Sequence, residues 1–195
     1  MKKYNLHIGI DVDGTLRDFR FQFIKYAREV RGIDIDPMDT NTWGFPNVRD
    51  NSGRKVIVDV FANPAVGQYV YEQAPTIENA FTGFRMFVEN PRINVYIVSS
   101  QKKGYEQFTD NWLEKNGFSN GIQGVFYESK KTNAPVQILI DDKPEHIIAF
   151  NQNKRDSILI DQPYNRTEDI PDTVPRVTDM IDAYKYVTKR YSKYL

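Results

Sequence analysis

Short apolar runs alternate along this chain with longer segments in which apolar residues recur at helical spacing. The apolar runs predict strands at residues 6–10, 93–98, 125–127, 136–140 and 157–160. The periodic segments predict helices at residues 17–31, 55–61, 64–72, 105–116, 144–151 and 178–191, and a further helix with Pro75 in its first turn. Strands that follow one another with helices between them indicate an α/β fold, in which helices cover both faces of a parallel sheet.

The first connection between predicted strands is longer than a parallel crossover requires. About four helical segments are predicted between residues 13 and 93, where a single crossover helix would suffice. Residues 32–52 are rich in Asp, Pro, Asn and Thr and predict an irregular loop around Trp43 and Phe45. The extra chain predicts a small helical cap at residues 17–74, inserted after the first strand of a core formed by residues 1–16 and 75–195.

Length, charge and cysteine content narrow the possible classes of protein. A chain of 195 residues fits one domain, or one domain with a sizeable insertion. The 26 basic residues balance the 26 acidic ones, so the chain has no general reason to bind DNA or an anionic membrane. The absence of cysteine excludes disulfides and thiolate metal sites. The sequence shows no apolar run of membrane-spanning length and no apolar signal segment, so a cytoplasmic protein is expected.

Two carboxylates stand two positions apart where the first apolar strand ends. Asp11 and Asp13 can point to the same side of an extended chain, and Gly14 then allows a sharp turn. Carboxylates this close repel each other unless a cation or a shared proton lies between them. The functional interpretation is a divalent metal beside a nucleophilic carboxylate. The alternative is a surface turn, because Asp and Gly are ordinary turn residues.

Polar side chains also follow other strands of the predicted sheet. The second strand ends at Ser99 and Ser100, and a later one ends at Asp141 and Asp142 with Lys131 on the loop before it. The carboxyl ends of parallel strands meet at one edge of a sheet, where ligands bind, so these groups are expected to converge. The acids would hold a cation while the serines and the lysine would hold an anion. Phosphate fits that anion best.

The same residues resemble the four motifs of the haloacid dehalogenase-like (HAD-like) phosphohydrolases. The matching segments, in sequence order, are residues 11–15, residues 98–100, Lys131 and residues 138–142. Residues 11–19, 131–132, 139–144 and 161–166 further resemble the 5'(3')-deoxyribonucleotidases. The resemblance implies a HAD-like core, which is a Rossmann-like parallel sheet with helices on both faces, and a small helical cap after the first strand. Enzymes of that group remove phosphate from deoxynucleoside monophosphates using magnesium.

The resemblance also implies a role for each matching position. Asp11 would attack phosphorus and become an aspartyl phosphate, and Asp13 would act as general acid and then as general base. Mg²⁺ would be held by Asp11, by the backbone carbonyl of Asp13 and by Asp141. Asp142 would support this shell, although the choice between the two neighbours stays open. The implied phosphate-binding side chains are Ser99, Ser100, Lys103 and Lys131.

Two aromatic residues are candidates for contact with a nucleobase. Phe19 matches a phenylalanine that stacks on the base in the nucleotidase group, and Trp43 lies in the cap loop where that group also has aromatic residues. The alternative for both is packing of the cap onto the core. Arg17 stands where those nucleotidases usually have a small residue, near the expected substrate entrance, and could favour a more acidic substrate. His146 is interpreted as structural or exposed.

These observations predict a Mg²⁺-dependent phosphatase whose partner is a small nucleotide, a (deoxy)nucleoside monophosphate. One alternative keeps the chemistry but changes the substrate to a sugar phosphate or to the 3'-phosphate end of a nucleic acid. The balanced charge disfavours a polynucleotide, which calls for a basic groove. The other alternative is a non-catalytic binding module, which the presence of all four charged residues of the motifs disfavours. The related nucleotidases are often dimers, so the resemblance also raises the expectation of a homodimer.

Overall fold

Strands and helices alternate through residues 5–193 and 195, which are the residues that the computed structural model describes. The strands are β1 (Leu6–Ile10), β2 (Ile93–Ser99), β3 (Gly124–Tyr127), β4 (Ile138–Asp141), β5 (Asp156–Ile160) and β6 (Arg176–Val177). The helices are α1 (Phe19–Lys25), α2 (Ile57–Ala62), α3 (Pro64–Gln73), α4 (Ala80–Val88), α5 (Glu106–Lys115), α6 (Pro144–Gln152) and α7 (Met180–Arg190). Within the described residues, no helix is long and apolar enough to cross a membrane.

All six strands pair in parallel in the order β3-β2-β1-β4-β5-β6. From β1 the chain first builds the sheet outwards through β2 and β3, and then returns to the other side of β1 for β4. Ligands bind outside the carboxyl ends of the strands at such a reversal point. The end of β1, between β2 and β4, is therefore where the topology places a binding site. The predicted α/β fold is confirmed.

Helices cover both faces of the sheet, which explains why the strands are continuous apolar runs. On one face, Ile8 and Ile10 belong to a buried cluster with Phe84 of α4, Trp112 of α5 and residues of α7. On the other face, the buried residues include Val98, Leu139 and Phe150, the last of these from α6. Both sides of β1 and β4 are thus fixed by packing, and their carboxyl ends are held in place.

A separate aromatic cluster lies among α1, α2, α3 and the irregular segment between α1 and α2. Phe23, Phe45 and Tyr71 are buried in it, and the Phe23 and Phe45 rings stack with centroids 4.8 Å apart. Tyr105, which precedes α5, also joins the cluster. The division into a cap at residues 17–74 and a core at residues 1–16 and 75–195 stays a prediction, and residues 1–4 of that core lie outside the described residues.

The helix predicted to include Pro75 in its first turn begins only at Ala80, so that prediction is wrong. The intervening residues make backbone contacts with the segment that follows β1. Thr76 forms an isolated antiparallel bridge with Arg17, and Ile77 N–H donates to the carbonyl of Leu16 at 2.9 Å. These residues therefore tie the segment before α4 to the segment that follows β1. The short strand β6 was not predicted, because two residues carry no periodicity.

Candidate active site

The carboxyl ends of β1, β2 and β4 bring buried polar residues together. Asp11 directly follows β1, Ser99 is the last residue of β2 and Asp141 is the last residue of β4, and all three are buried. Lys131 reaches them from a short 3-10 turn before β4. Its Nζ donates to Asp11 Oδ1, and to Asp141 Oδ2 at 2.7 Å. One buried ammonium group thus bridges two carboxylates that are 130 positions apart in sequence.

A tight turn after β1 sets the direction of the first motif. The carbonyl of Val12 accepts hydrogen bonds from the backbone N–H groups of residues 15, 16 and 17, at distances between 2.8 and 3.3 Å. Gly14 adopts φ +82°, a conformation that favours glycine. A Cβ atom at this position would collide with the Asp142 carboxylate and the Tyr164 hydroxyl. Glycine is therefore required both for the turn and for the close approach of Asp142.

Asp11, Asp141 and Asp142 form an acidic cluster suited to a cation. One carboxylate oxygen from each lies within 4.8 Å of the others, and all three residues are buried. Burial raises the pKa of Asp11 to about 6, with Lys131 opposing the shift and Asp141 adding to it. Burial and the two neighbouring carboxylates raise the pKa of Asp142 well above its usual value. The cluster thus resists full ionisation, and a hard divalent cation with oxygen ligands fits its donor set.

Lys131 keeps its charge in this buried position. Burial by itself lowers the pKa of a lysine, but the Asp11 and Asp141 carboxylates outweigh it and raise the pKa of Lys131 above its ordinary value. Burial likewise acts to raise the pKa of Asp141, yet Lys131 and His146 hold it below its usual range. A permanently charged ammonium group therefore lies beside Asp11, where it can neutralise an approaching anion.

The loop after β5 donates hydrogen bonds to the acidic cluster and to the turn after β1. Tyr164 Oη donates to Asp142 Oδ2 at 2.6 Å, and Asn165 Nδ2 donates to the Asp142 carbonyl at 2.7 Å. Gln162 Nε2 donates to the carbonyl of Gly14 at 2.9 Å. The loop thereby holds both the first turn and Asp142. The resemblance of residues 161–166 to a nucleotidase loop was the sequence signal for this support, but it did not predict which side chains make it.

A cleft of about 180 Å³ opens above the acidic cluster. The predicted site residues that border it are Asp11, Asp13, Trp43, Ser99, Ser100, Asp141 and Asp142. Two predicted phosphate-binding lysines do not border it: Lys103 is exposed while the neighbouring Lys102 borders the cleft, and Lys131 is buried against Asp11 and Asp141. Their phosphate-binding roles stay predictions. Phe61 and Tyr71 also border the cleft and were not among the predicted site residues.

The two predicted base-contacting residues occupy different environments. Phe19 is half-buried and packs against Phe23, Phe45 and Tyr71 within the aromatic cluster, and it borders a smaller neighbouring cavity together with Asp13 and Trp43. Trp43 is 44% exposed. Its ring lies 5.4 Å from the ring of Tyr164 and 5.2 Å from Nζ of Lys143. Trp43 thus links the segment before α2 to the residues that follow β4 and β5, and both base-contact roles stay predictions.

Arg17 does not lie at the entrance of the cleft. Its side chain is completely buried, and its Nε donates to Asp13 Oδ1 at 2.7 Å while Nη2 donates to Asp13 Oδ2 at 3.1 Å. The expectation that Arg17 favours an acidic substrate is therefore wrong, because its charge is already paired and no surface of it is open. The turn after β1 brings residues 13 and 17 together, with Gly14 N–H donating to the carbonyl of Arg17 at 2.9 Å.

His146 lies at the site although the sequence suggested a structural or exposed residue. Its Nδ1 is 2.9 Å from Asp141 Oδ2, and its side chain borders the cleft. The signal that could have found it is positional. Because α6 begins at Pro144, immediately after the carboxyl end of β4, residues in its first turn face the strand end.

The amino-acid sequence is similar to those of two proteins named as 5'(3')-deoxyribonucleotidases. A 5'(3')-deoxyribonucleotidase of Clostridium acetobutylicum is 28% identical over 162 residues, which cover 83% of this chain and 84% of that protein. A protein of Chlorobaculum tepidum, provisionally named a 5'(3')-deoxyribonucleotidase, is 24% identical over 161 residues, which cover 75% of this chain and 74% of that protein. No family model matches the chain.

Solved structures with the same fold are HAD-like hydrolases. A haloacid dehalogenase-like hydrolase family protein of Streptococcus pneumoniae superposes with a TM-score of 0.68 at 12% identity, over 95% of this chain and 99% of that chain. Bacillus subtilis YfnB, provisionally named a HAD-hydrolase and solved with magnesium, superposes with a TM-score of 0.64 at 14% identity, over 95% and 99% of the two chains. These structures show that the fold is HAD-like. Together with the curated relatives, they support the prediction of a HAD-type hydrolase similar to the 5'(3')-deoxyribonucleotidases.

Proposed function

We propose that this protein is a Mg²⁺-dependent phosphatase that hydrolyses (deoxy)nucleoside monophosphates through an aspartyl phosphate on Asp11. The observation that carries the proposal is the bridge that buried Lys131 forms between Asp11 and Asp141, two carboxylates that border the cleft. A nucleophilic carboxylate needs a nearby positive charge before it can approach a phosphate dianion, and Lys131 supplies one. The names of the two curated relatives support the nucleotide as substrate.

The acidic cluster would hold the cation. Asp11, Asp141 and Asp142 offer buried carboxylate oxygens within 4.8 Å of one another, and hydrogen bonds from Tyr164 and Asn165 hold Asp142 in place. Bound there, Mg²⁺ would neutralise charge on the phosphoryl oxygens and on the carboxylates around them.

In the first half-reaction, a carboxylate oxygen of Asp11 forms a bond to phosphorus while the bond between phosphorus and the ester oxygen breaks. Lys131 reduces the repulsion between the two anions. Ser99 and Ser100, which border the cleft at the end of β2, donate hydrogen bonds to phosphoryl oxygens. Asp13 transfers a proton to the departing ester oxygen, so that the nucleoside leaves as an alcohol.

In the second half-reaction, the same residues hydrolyse the aspartyl phosphate. Asp13, now ionised, takes a proton from water while the water oxygen forms a bond to phosphorus. The bond between phosphorus and Asp11 breaks, which releases inorganic phosphate and regenerates the Asp11 carboxylate. Asp11 and Asp13 both border the same cleft, so the two residues can act on one phosphoryl group in these successive steps.

The base of the nucleotide would lie against the aromatic side of the cleft. Trp43, Phe61 and Tyr71 border the same space as Asp11, so aromatic side chains and the acidic cluster face one cleft. A planar base can gain stacking energy on these rings while its phosphate lies beside Asp11. Phe61 and Trp43 both lie outside the buried aromatic cluster, at 40% and 44% exposure. The Trp43 ring already lies against Tyr164 and Lys143, so Phe61 is the candidate for the test.

Phe61→Ala is expected to raise KM for a deoxynucleoside monophosphate by about tenfold, the equivalent of losing one stacking contact. The KM for deoxyribose 5-phosphate, which has the same sugar and phosphate but no base, is expected to stay within about twofold, because only the stacking contact is removed. The measurement is steady-state phosphate release with both substrates. Phe21→Ala is the matched control, because Phe21 is also an exposed phenylalanine but does not border the cleft. Equal effects on the two substrates would show that Phe61 does not contact the base.

Removal of metal is expected to lower the rate of phosphate release by about 100-fold or more, because the acidic cluster then repels the substrate phosphate. The measurement is a phosphate-release screen of nucleoside monophosphates and sugar phosphates, with Mg²⁺ and with EDTA. Activity that is equal with and without metal would refute the Mg²⁺ assignment. Faster release from sugar phosphates would favour the other substrate class, and no release from any ester would favour the non-catalytic binding module.

A further inference from the structure

Arg17 is a buried charged side chain to which the proposed reaction assigns no role. Its side chain has no solvent exposure, and burial of a guanidinium group is costly unless every donor has a partner. Two of its donors meet the two oxygens of Asp13, Nε to Oδ1 at 2.7 Å and Nη2 to Oδ2 at 3.1 Å. This parallel fork is the geometry that fixes a carboxylate most tightly in direction, since a rotation of the carboxylate breaks both bonds.

Arg17 is itself held by residues of two helices. Nη2 also donates to Thr109 Oγ1 of α5 at 3.1 Å, and Nη1 donates to the carbonyl of Tyr71 of α3 at 3.4 Å. The guanidinium carbon lies 4.8 Å from the centre of the Tyr71 ring and 5.3 Å from that of the Trp112 ring. These contacts restrict the orientation of the Arg17 guanidinium group that binds Asp13.

Asp13, which Arg17 holds by these two hydrogen bonds, borders the cleft. Its side chain is 22% exposed and borders the same space as Asp11, whereas Arg17 is completely buried and reaches it from the protein side. Each carboxylate oxygen has two lone pairs, and the fork occupies one on each oxygen. One lone pair per oxygen thus stays available for a proton to or from a group in the cleft.

We propose that Arg17 is a positioning residue for Asp13, which holds the carboxylate in the orientation needed for proton transfer to the ester oxygen and from water. The proposal rests on the proposed function, in which Asp13 makes both transfers. The advantage lies in preorganisation, because a carboxylate that is already oriented needs no ordering in the transition state. A purely structural role, in which Arg17 only joins α3 to α5, predicts the same contacts but a different response to mutation.

A double-mutant cycle on activity separates the two roles. Arg17→Met is expected to lower kcat by about 10- to 100-fold, with KM changed by less than about threefold, because the residues around the phosphate stay in place. In the Asp13→Asn background, Arg17→Met is expected to have less than about a twofold further effect, since the residue it positions is already inactive. Losses that multiply instead would overturn the proposal and favour the structural role.

Three further variants sharpen the cycle. Arg17→Lys keeps the charge without the fork, so its kcat is expected to lie closer to that of Arg17→Met than to that of the wild type. Thr109→Val removes one support of Arg17 at nearly constant volume and replaces Arg17→Met if that variant does not fold. Its kcat is expected to fall by about tenfold, again only when Asp13 is present. Arg28→Met is the control, because Arg28 donates to the carbonyl of Ile35 away from the cleft.

Urea unfolding of the four proteins in the cycle gives a readout that does not depend on activity. Asp13→Asn leaves the Arg17 charge buried without its acidic partner, so this variant is expected to unfold at lower urea than the wild type. The double variant is expected to unfold at higher urea than Asp13→Asn alone, and additive changes would overturn the pairing. A wild type that releases no phosphate from any ester refutes the proposed function, and with it the role in proton transfer. An active wild type with multiplying losses refutes only the role of Arg17.

Discussion

Asp11→Asn is expected to lower kcat by about 10⁴-fold or more, as loss of a covalent nucleophile does in other enzymes. An amide has no ionised oxygen to attack phosphorus, so no aspartyl phosphate can form. Binding of a nucleoside monophosphate is expected to persist, because Ser99 and Ser100 still border the cleft and Lys131 still pairs with Asp141. Initial rates of phosphate release and calorimetric titration with the nucleotide measure the two effects separately.

The control for this variant is Asp182→Asn, which removes an aspartate from the exposed surface of α7. It is expected to keep the activity of the wild type. If Asp11→Asn retained activity within about tenfold of the wild type, the covalent mechanism would be refuted, because loss of even a general acid or base, which forms no covalent bond, costs about 10²- to 10⁴-fold.

Lys131→Met is expected to lower kcat/KM by about 10³-fold and to destabilise the metal-free protein by about 3 kcal/mol. The first effect follows because Asp11 would meet the phosphate without the adjacent ammonium group. The second follows because Asp11 and Asp141 would lose the buried charge that now bridges them. The free energy of unfolding in urea with EDTA measures the stability term. Mg²⁺ is expected to raise the unfolding midpoint more in this variant than in the wild type, because it replaces the missing positive charge.

Lys130→Met is the matched control, since Lys130 precedes Lys131 on the same loop and is exposed. It is expected to change neither kcat/KM nor the unfolding midpoint. If Lys130→Met lost as much activity as Lys131→Met, the lysine beside the nucleophile would be wrongly assigned. A smaller gain from Mg²⁺ in Lys131→Met than in the wild type would contradict the charge balance argued for the cluster.

Much of the fold follows from the sequence because its central strands are buried on both faces. Such strands are continuous apolar runs, so a parallel sheet covered by helices was predictable, and so were the polar residues that end each run. Asp11, Ser99 and Asp141 stand at three of these ends, and parallel pairing then brings them together. What the sequence determined by itself is therefore which chemical groups meet at the edge of the sheet.

Packing between distant segments decided which way the other side chains point. Arg17 was expected at the substrate entrance, yet its guanidinium is buried against Thr109, which is 92 positions away in sequence. Lys102 rather than Lys103 borders the cleft. The sequence could not predict this, because a loop after a strand has no periodicity from which the direction of its side chains can be deduced. The local turn after β1 brings Arg17 next to Asp13, but only the tertiary structure shows that the Arg17 side chain is buried, because its other donors bind Tyr71 of α3 and Thr109 of α5.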